Sequence, residues 1–171
     1  MKDPVLLASV QDQVWADPRW KASFDPVTKI ETTHCNQGAL AVANGVGCHE
    51  FDPPSGGDPY TADQLWYFFQ RVTSNFLEKN LADVHDLVQA GSLVYAVCPF
   101  WLLNEGHGHV VSLTPGDAVK SESLNLWVPV CLNISTVVLS GRSVGINWAF
   151  PMKRITPKFF AWKNSLQEAT K

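Results

Sequence analysis

The chain has 171 residues, of which 46% are hydrophobic and 17% charged, a composition that suits one globular domain with a substantial core. The net charge is -3, and the lysines and arginines are scattered, which excludes the basic patch that a nucleic acid or an anionic membrane attracts. We therefore expect one domain over residues 1–171, with neither nucleic acid nor a membrane as a partner.

No apolar run approaches the roughly 20 residues of a membrane-spanning helix, and the N-terminal segment MKDPVLLASVQDQVW lacks the apolar core and cleavage site of a secretory signal. We therefore expect neither a membrane anchor nor a signal peptide. The four cysteines lie far apart without close C-x-x-C pairs, which predicts neither a zinc ribbon nor a dense disulfide scaffold; they are Cys35, Cys48, Cys98 and Cys131.

The first third of the sequence carries two helix patterns. Asp3 and Pro4 are an N-cap and a first-turn proline that open a short amphipathic helix. The segment TTHCNQGALAVANGVG predicts a second helix, which Thr32 or Thr33 caps and whose glycines supply the stop. Cys35 then falls in the first turn of this second helix.

Two further helices are predicted before Gly91. In TADQLWYFFQRVTSNF, Thr61 and Gln64 have the spacing of a capping box, and apolar residues recur at helical intervals at Leu65, Phe68, Phe69 and Val72. The segment NLADVHDLVQAG predicts a short helix with Asn80 as its cap and Gly91 as its stop.

The pattern changes after Gly91. Short apolar or alternating runs rich in Val, Phe and Trp are separated by Gly, Pro, Ser and Asn, and they read SLVYAVCPF, GHVVSLTPG, LNLWVPVCLNIS, SVGINWAF and KFFAWK. Such runs are typical of strands. Helices followed by strands indicate an α+β domain with an antiparallel sheet, not a doubly wound parallel one.

Cys35 is the first candidate for chemistry. Unpaired N–H groups and the positive end of the dipole at a helix N-terminus stabilise a thiolate, which is the nucleophilic form of cysteine. The alternative is that Cys35 is a small buried apolar residue, as free cysteines often are. Cys98 and Cys131 lie inside strand-like apolar runs, so we expect both to pack in the core.

A cysteine nucleophile needs a base, usually histidine, and a third polar group that fixes the tautomer of the imidazole. His109 begins a predicted strand after Gly-His-Gly, where its side chain can project toward a helix terminus, while His107 lies in the turn. Asn133 ends the next strand-like run, and a neighbouring antiparallel strand could bring its amide beside the imidazole. The alternatives are structural roles for both histidines and a turn-forming role for Asn133. Glu122 and Ser123 are less favoured because we expect them in the connecting loop.

A metal site is the main competing interpretation. Zinc takes about four nitrogen or sulfur ligands, and pairs of such residues occur at His34 and Cys35, at Cys48 and His49, and at His107 and His109. Their spacing matches no common zinc motif, and the sequence contains no H-E-x-x-H, G-x-S-x-G, phosphate-binding or dinucleotide-binding signature.

The order of several motifs is informative beyond the single residues. THCNQGALAVANGVG, TADQLWYFF, GHGHVVSLTPG, WVPVCLNIS and SVGINWAF, over about residues 30–150, resemble the NlpC-type cysteine peptidases. The resemblance implies a papain-like fold in which N-terminal helices carry the nucleophile and pack on a C-terminal antiparallel sheet. It implies Cys35 as nucleophile, His109 as base and Asn133 as the third polar residue. Residues 1–29 lie outside the motifs as an N-terminal flank.

The resemblance also implies a function, the hydrolysis of peptide amide bonds in the stem peptides or crosslinks of bacterial peptidoglycan, without a cofactor or metal. Because this substrate lies outside the cytoplasm, we expect export by a non-Sec route, phage delivery, or delivery into a competitor's periplasm, and the last would imply an immunity protein as partner. Three alternatives remain open: a non-catalytic cell-wall-binding domain of the same fold, a zinc-dependent hydrolase, and a cysteine enzyme acting on another amide or acyl group.

Overall fold

The computed structural model describes residues 2–21, 23–24, 26–27, 31–55, 57–103, 106–135 and 140–166. The helices in these residues are α1 (Pro4–Ala16), α2 (Cys35–Gly45), α3 (Ala62–Phe69), α4 (Leu81–Gln89), α5 (Phe100–Leu103), α6 (Ile146–Ala149) and α7 (Lys163–Leu166), with a 3-10 helix at Pro18–Trp20. The strands are β1 (Ser23–Phe24), β2 (Glu31–Thr32), β3 (Phe76–Lys79), β4 (Val94–Cys98), β5 (His109–Leu113), β6 (Val119–Ser121), β7 (Leu126–Val128), β8 (Val130–Asn133), β9 (Gly141–Gly145) and β10 (Lys158–Trp162).

One six-stranded sheet organises the described part of the chain, in the order β3-β10-β4-β5-β8-β9. Every neighbouring pair in this sheet is antiparallel. Two small antiparallel pairs, β1-β2 and β6-β7, lie outside it. The predicted α+β class with an antiparallel sheet is therefore confirmed. Over the same residues, none of the helices has the length and apolarity needed to cross a membrane.

Of the four predicted helix starts, three lie at the predicted caps Asp3, Thr61 and Asn80, although the Asn80 side chain makes no capping hydrogen bond. The Asp3 carboxylate accepts hydrogen bonds from the first backbone N–H groups of α1, and Thr61 and Gln64 form the predicted capping box at α3. The N-cap of α2 is His34, not Thr32 or Thr33. Cys35 is already helical, so the cap falls one residue before it, and the His34 imidazole contacts the Gln37 side chain instead of a backbone N–H.

Three predicted elements have different limits. Helix α3 ends at Phe69, and Val72, predicted on its apolar face, is fully exposed beyond it. Phe76, predicted in the same helix, instead begins β3. It pairs with Trp162 because β10, which is distant in sequence, forms an antiparallel pair with β3. The run LNLWVPVCLNIS is divided at Pro129, which cannot donate to a ladder. The run SVGINWAF is a strand only as far as Gly145 and then turns into α6.

Polar contacts attach the helices to the centre of the sheet. The Gln11 amide of α1 donates to the Ser112 hydroxyl and to the Leu113 carbonyl, both at 2.8 Å. The Tyr95 phenol of β4 donates to the Ala39 carbonyl of α2 at 2.8 Å. The Tyr95 ring also stacks on Phe69 of α3. These contacts hold α1 against β5 and hold α2 and α3 against β4; β4 and β5 are the strands on either side of the Gly-His-Gly-His loop.

Candidate functional site

Cys35 is the first residue of α2 and so lies in its first turn, as the sequence predicts, and only 7% of its surface is exposed. Backbone N–H groups of Val110 in β5 and of Asn36 and Cys35 in α2 lower the pKa of its thiol. The Asn36 side chain donates to the Tyr60 carbonyl at 3.0 Å and thereby ties the start of α2 to the loop before α3. The thiol therefore sits in a fixed position between a helix terminus and the first residues of β5.

His109 is the first residue of β5, and Asn133 is the last residue of β8. Because β5 and β8 are antiparallel neighbours, the start of one lies beside the end of the other. His109 Nε2 and Asn133 Oδ1 are 2.7 Å apart. An amide oxygen can only accept, so the hydrogen-bond network assigns the proton to Nε2 and leaves the lone pair of the neutral ring on Nδ1.

The structure brings the three predicted residues to one region and joins two of them directly. Val110, whose backbone N–H lowers the pKa of the Cys35 thiol, is the residue after His109. No hydrogen bond between the thiol and the imidazole is present among the described residues. The link between Cys35 and His109 therefore runs through the backbone at the start of β5, and the link between His109 and Asn133 runs through their side chains.

The Cys35 thiol and the His109 imidazole are both neutral near pH 7. Burial raises the pKa of the Cys35 thiol, and the N–H groups of Val110 and Asn36 lower it by less. The helix terminus thus acts in the direction that the sequence predicts, but desolvation outweighs it. Burial lowers the pKa of His109 to about 4, against a smaller upward contribution from the Asn133 hydrogen bond and a further lowering by His107. At neutral pH the site holds a thiol and an uncharged imidazole.

The low pKa of His109 predicts a loss of stability in acid. Histidine in the unfolded chain has a pKa of roughly 6.5, so between that pH and the folded pKa of about 4 the unfolded state binds a proton that the folded state does not. The free energy of unfolding is therefore unaffected by this group above pH 6.5 and decreases progressively as the pH falls. The loss reaches about 3 kcal/mol at pH 4. Urea unfolding at a series of pH values should show this loss in the wild type and a loss smaller by that amount in His109→Gln. Equal pH dependence in the two proteins would contradict it.

The remaining histidines and cysteines do not converge on a second site. Cys98 and Cys131 are fully buried, which confirms their predicted core positions, and burial raises the pKa of Cys48 to about 12. His107 is exposed in the loop, and His49 pairs with the Asp52 carboxylate at 3.0 Å. Across the described ranges, no group of three or more His, Cys, Asp or Glu side chains is arranged to hold a metal ion.

Two contacts of the site were missed by sequence reasoning. The Phe150 ring packs on the His109 imidazole with centroids 5.3 Å apart, and the Asp63 carboxylate of α3 adds to burial in raising the pKa of the Cys35 thiol. Phe150 is the last residue of the motif SVGINWAF, so the motif could have indicated that this residue lies near the site. Asp63 had no comparable signal, because first-turn acidic residues are common in helices.

No model of a known protein family matches this chain, and a search of curated proteins returns no match.

Proposed function

We propose that this chain is a papain-like cysteine peptidase of the NlpC type that hydrolyses peptide amide bonds of bacterial peptidoglycan. The observation that carries the proposal is the His109–Asn133 hydrogen bond of 2.7 Å, which leaves Nδ1 as the basic nitrogen beside the strand position that contacts Cys35. A cysteine at a helix start, a histidine of one tautomer and an amide that fixes it are the three parts that nucleophilic thiol catalysis requires.

The proposed reaction has two halves. In the first, Nδ1 of His109 takes the thiol proton while the Cys35 sulfur attacks the amide carbonyl, and the backbone N–H of Cys35 stabilises the oxyanion. The imidazolium, held by Asn133, then protonates the leaving amine and a thioester remains on Cys35. In the second half, His109 accepts a proton from water as the water attacks the thioester, and the returned proton restores the thiol and releases the carboxylic acid.

The neutral resting pair determines when the proton moves. Because burial disfavours both the thiolate and the imidazolium, transfer is coupled to attack on the substrate instead of preceding it. The thiol and Nδ1 must also come within hydrogen-bonding distance, a contact that catalytic groups often complete only when substrate is bound. Substrate binding therefore assembles the reactive geometry.

The proposed substrate class rests on the order of the motifs around Cys35 and His109, which resembles that of peptidoglycan hydrolases. Stem peptides or crosslinks of the wall are the proposed partners, and an immunity protein is the partner that delivery into a competitor's periplasm would add. The chemistry at Cys35 needs no cofactor.

Digestion of purified peptidoglycan tests the function. Sacculi of several chemical types are incubated with the protein, new amino groups are counted, and the released fragments are identified by mass. We expect fragments whose termini locate one cleaved amide bond. The absence of new termini from every wall type, with folded protein at neutral pH, would overturn the proposed substrate class.

Asn133→Ala is expected to slow cleavage roughly 10- to 100-fold, because the imidazole loses the partner that fixes its tautomer and direction. Asn133→Asp is the matched control. It keeps an oxygen that accepts the hydrogen bond from His109 Nε2, and it adds a charge that favours the imidazolium. We expect the aspartate variant to keep more activity than the alanine variant. Equal rates for Asn133→Ala and the wild type would remove Asn133 from the site.

A further inference from the structure

Gly108, the residue before His109, is constrained by close packing. A Cβ atom at this position would lie 2.5 Å from Asp63 Oδ1, 3.0 Å from the Cys98 carbonyl oxygen and 3.2 Å from Ala62 Cβ. Neither the carbonyl nor the Ala62 backbone can move away without shifting β4 or α3. The backbone that leads into His109 is therefore seated directly on the first turn of α3, which explains why a glycine stands there.

The same Asp63 oxygen has a second partner at the other end of the loop. Asp63 Oδ1 accepts a hydrogen bond of 2.9 Å from the Phe100 N–H, which follows the end of β4. Cys98 and His109 are paired across β4 and β5, so the connection between the strands opens and closes at this pair. One carboxylate oxygen thus contacts the chain both as it leaves β4 and as it enters β5.

Asp63 is itself held in place by the start of its helix. The capping box of Thr61 and Gln64 fixes the first turn of α3, through hydrogen bonds of 2.8 Å and 3.2 Å on either side of Asp63. A carboxylate is also favoured in the first turn by the helix dipole. The backbone of Asp63 is therefore held in a fixed position beside the loop between β4 and β5.

We propose that Asp63 is a positioning residue for His109, holding both ends of the β4–β5 loop so that the imidazole keeps one orientation toward Asn133 and Cys35. The inference rests on the proposed role of His109 as the base, but it concerns the geometry of the ring and can be measured without a substrate.

The charge of Asp63 has a separate effect that allows geometry and electrostatics to be distinguished. Its carboxylate raises the pKa of Cys35, although burial is the largest cause. Asp63→Asn keeps an acceptor oxygen for the Phe100 N–H and removes the charge, whereas Asp63→Ala removes both. The asparagine variant should therefore keep the ring geometry and lower the pH at which Cys35 reacts with iodoacetamide.

Proton–nitrogen correlation spectra of the His109 imidazole test the proposal directly. We expect one tautomer, with the proton on Nε2, in the wild type and in Asp63→Asn, and averaged tautomers in Asp63→Ala. Peptidoglycan cleavage should fall at least about tenfold in Asp63→Ala and by less in Asp63→Asn, which keeps the acceptor oxygen. Asp83→Ala, at the exposed first-turn acid of α4, is the matched control and should change neither measurement.

Gly108→Ala provides a second variant in case Asp63→Ala does not fold. It keeps Asp63 but forces a Cβ against Oδ1, so it should also produce averaged tautomers. The proposal is overturned if Asp63→Ala or Gly108→Ala retains the single Nε2 tautomer, or if Asp63→Asn disturbs the ring as much as Asp63→Ala. The spectra require no substrate. Failure of the wild type to cleave peptidoglycan would therefore overturn the proposed function, while the spectra would still test the positioning role of Asp63.

Discussion

Replacing Cys35 by alanine is expected to reduce amide cleavage at least about 10⁴-fold, because no other group in the site can form the thioester. The substitution removes only one sulfur atom, from a residue of which 7% of the surface is exposed. The fold should therefore be retained. The rate of appearance of new amino groups from peptidoglycan, compared at equal concentrations of folded protein, measures the effect.

Cys131→Ala is the matched control for this substitution. It removes another buried thiol, whose sulfur contacts only the Val144 carbonyl among the hydrogen bonds of the described chain, and it lies on β8 two residues before Asn133. We expect this variant to cleave at nearly the wild-type rate. If Cys35→Ala also cleaved at that rate, the thiol would have no part in the reaction.

Replacing His109 by glutamine is expected to reduce cleavage by about 10²- to 10⁴-fold. Glutamine can still donate a hydrogen bond toward Asn133, so the variant preserves much of the local packing and removes the basic Nδ1 nitrogen. The loss should appear in kcat, with KM little changed, because proton transfer and not substrate contact is removed.

His107→Gln is the control for the His109 variant, since His107 is exposed in the same loop and precedes His109 by two residues. It should stay within about threefold of the wild-type rate, as surface substitutions usually have small effects. A large loss in His107→Gln with little loss in His109→Gln would exchange the roles that we assign to the two histidines.

The features predicted correctly from the sequence depend on local signals. Asp3 and the pair of Thr61 and Gln64 cap helices because their side chains reach N–H groups two or three residues away. Cys35 lies in the first turn of α2 as predicted, although the N-cap of this helix is His34 and no side chain caps it. The pairing of His109 with Asn133 needed only one further step, namely that neighbouring antiparallel strands place the start of one beside the end of the other.

The features that the sequence did not predict depend on distant parts of the chain. Phe76 leaves the helical pattern because Trp162 of β10 supplies a strand partner. The raised pKa of Cys35 arises from burial against β5, which outweighs the helix terminus and cannot be judged from the helix alone. The support of Gly108 by Asp63 joins two segments whose contact no local pattern indicates.

The most direct test of the central claim is to isolate the acyl-enzyme. The protein is mixed with purified muropeptides, the reaction is stopped with acid after a few milliseconds to seconds, and the cysteine-containing peptides are weighed. We predict that the Cys35 peptide carries the acyl part of the cleaved stem peptide and that the peptides of Cys48, Cys98 and Cys131 are unchanged. Continued cleavage with an unmodified Cys35 peptide, together with wild-type cleavage by Cys35→Ala, would contradict a thioester mechanism at this site.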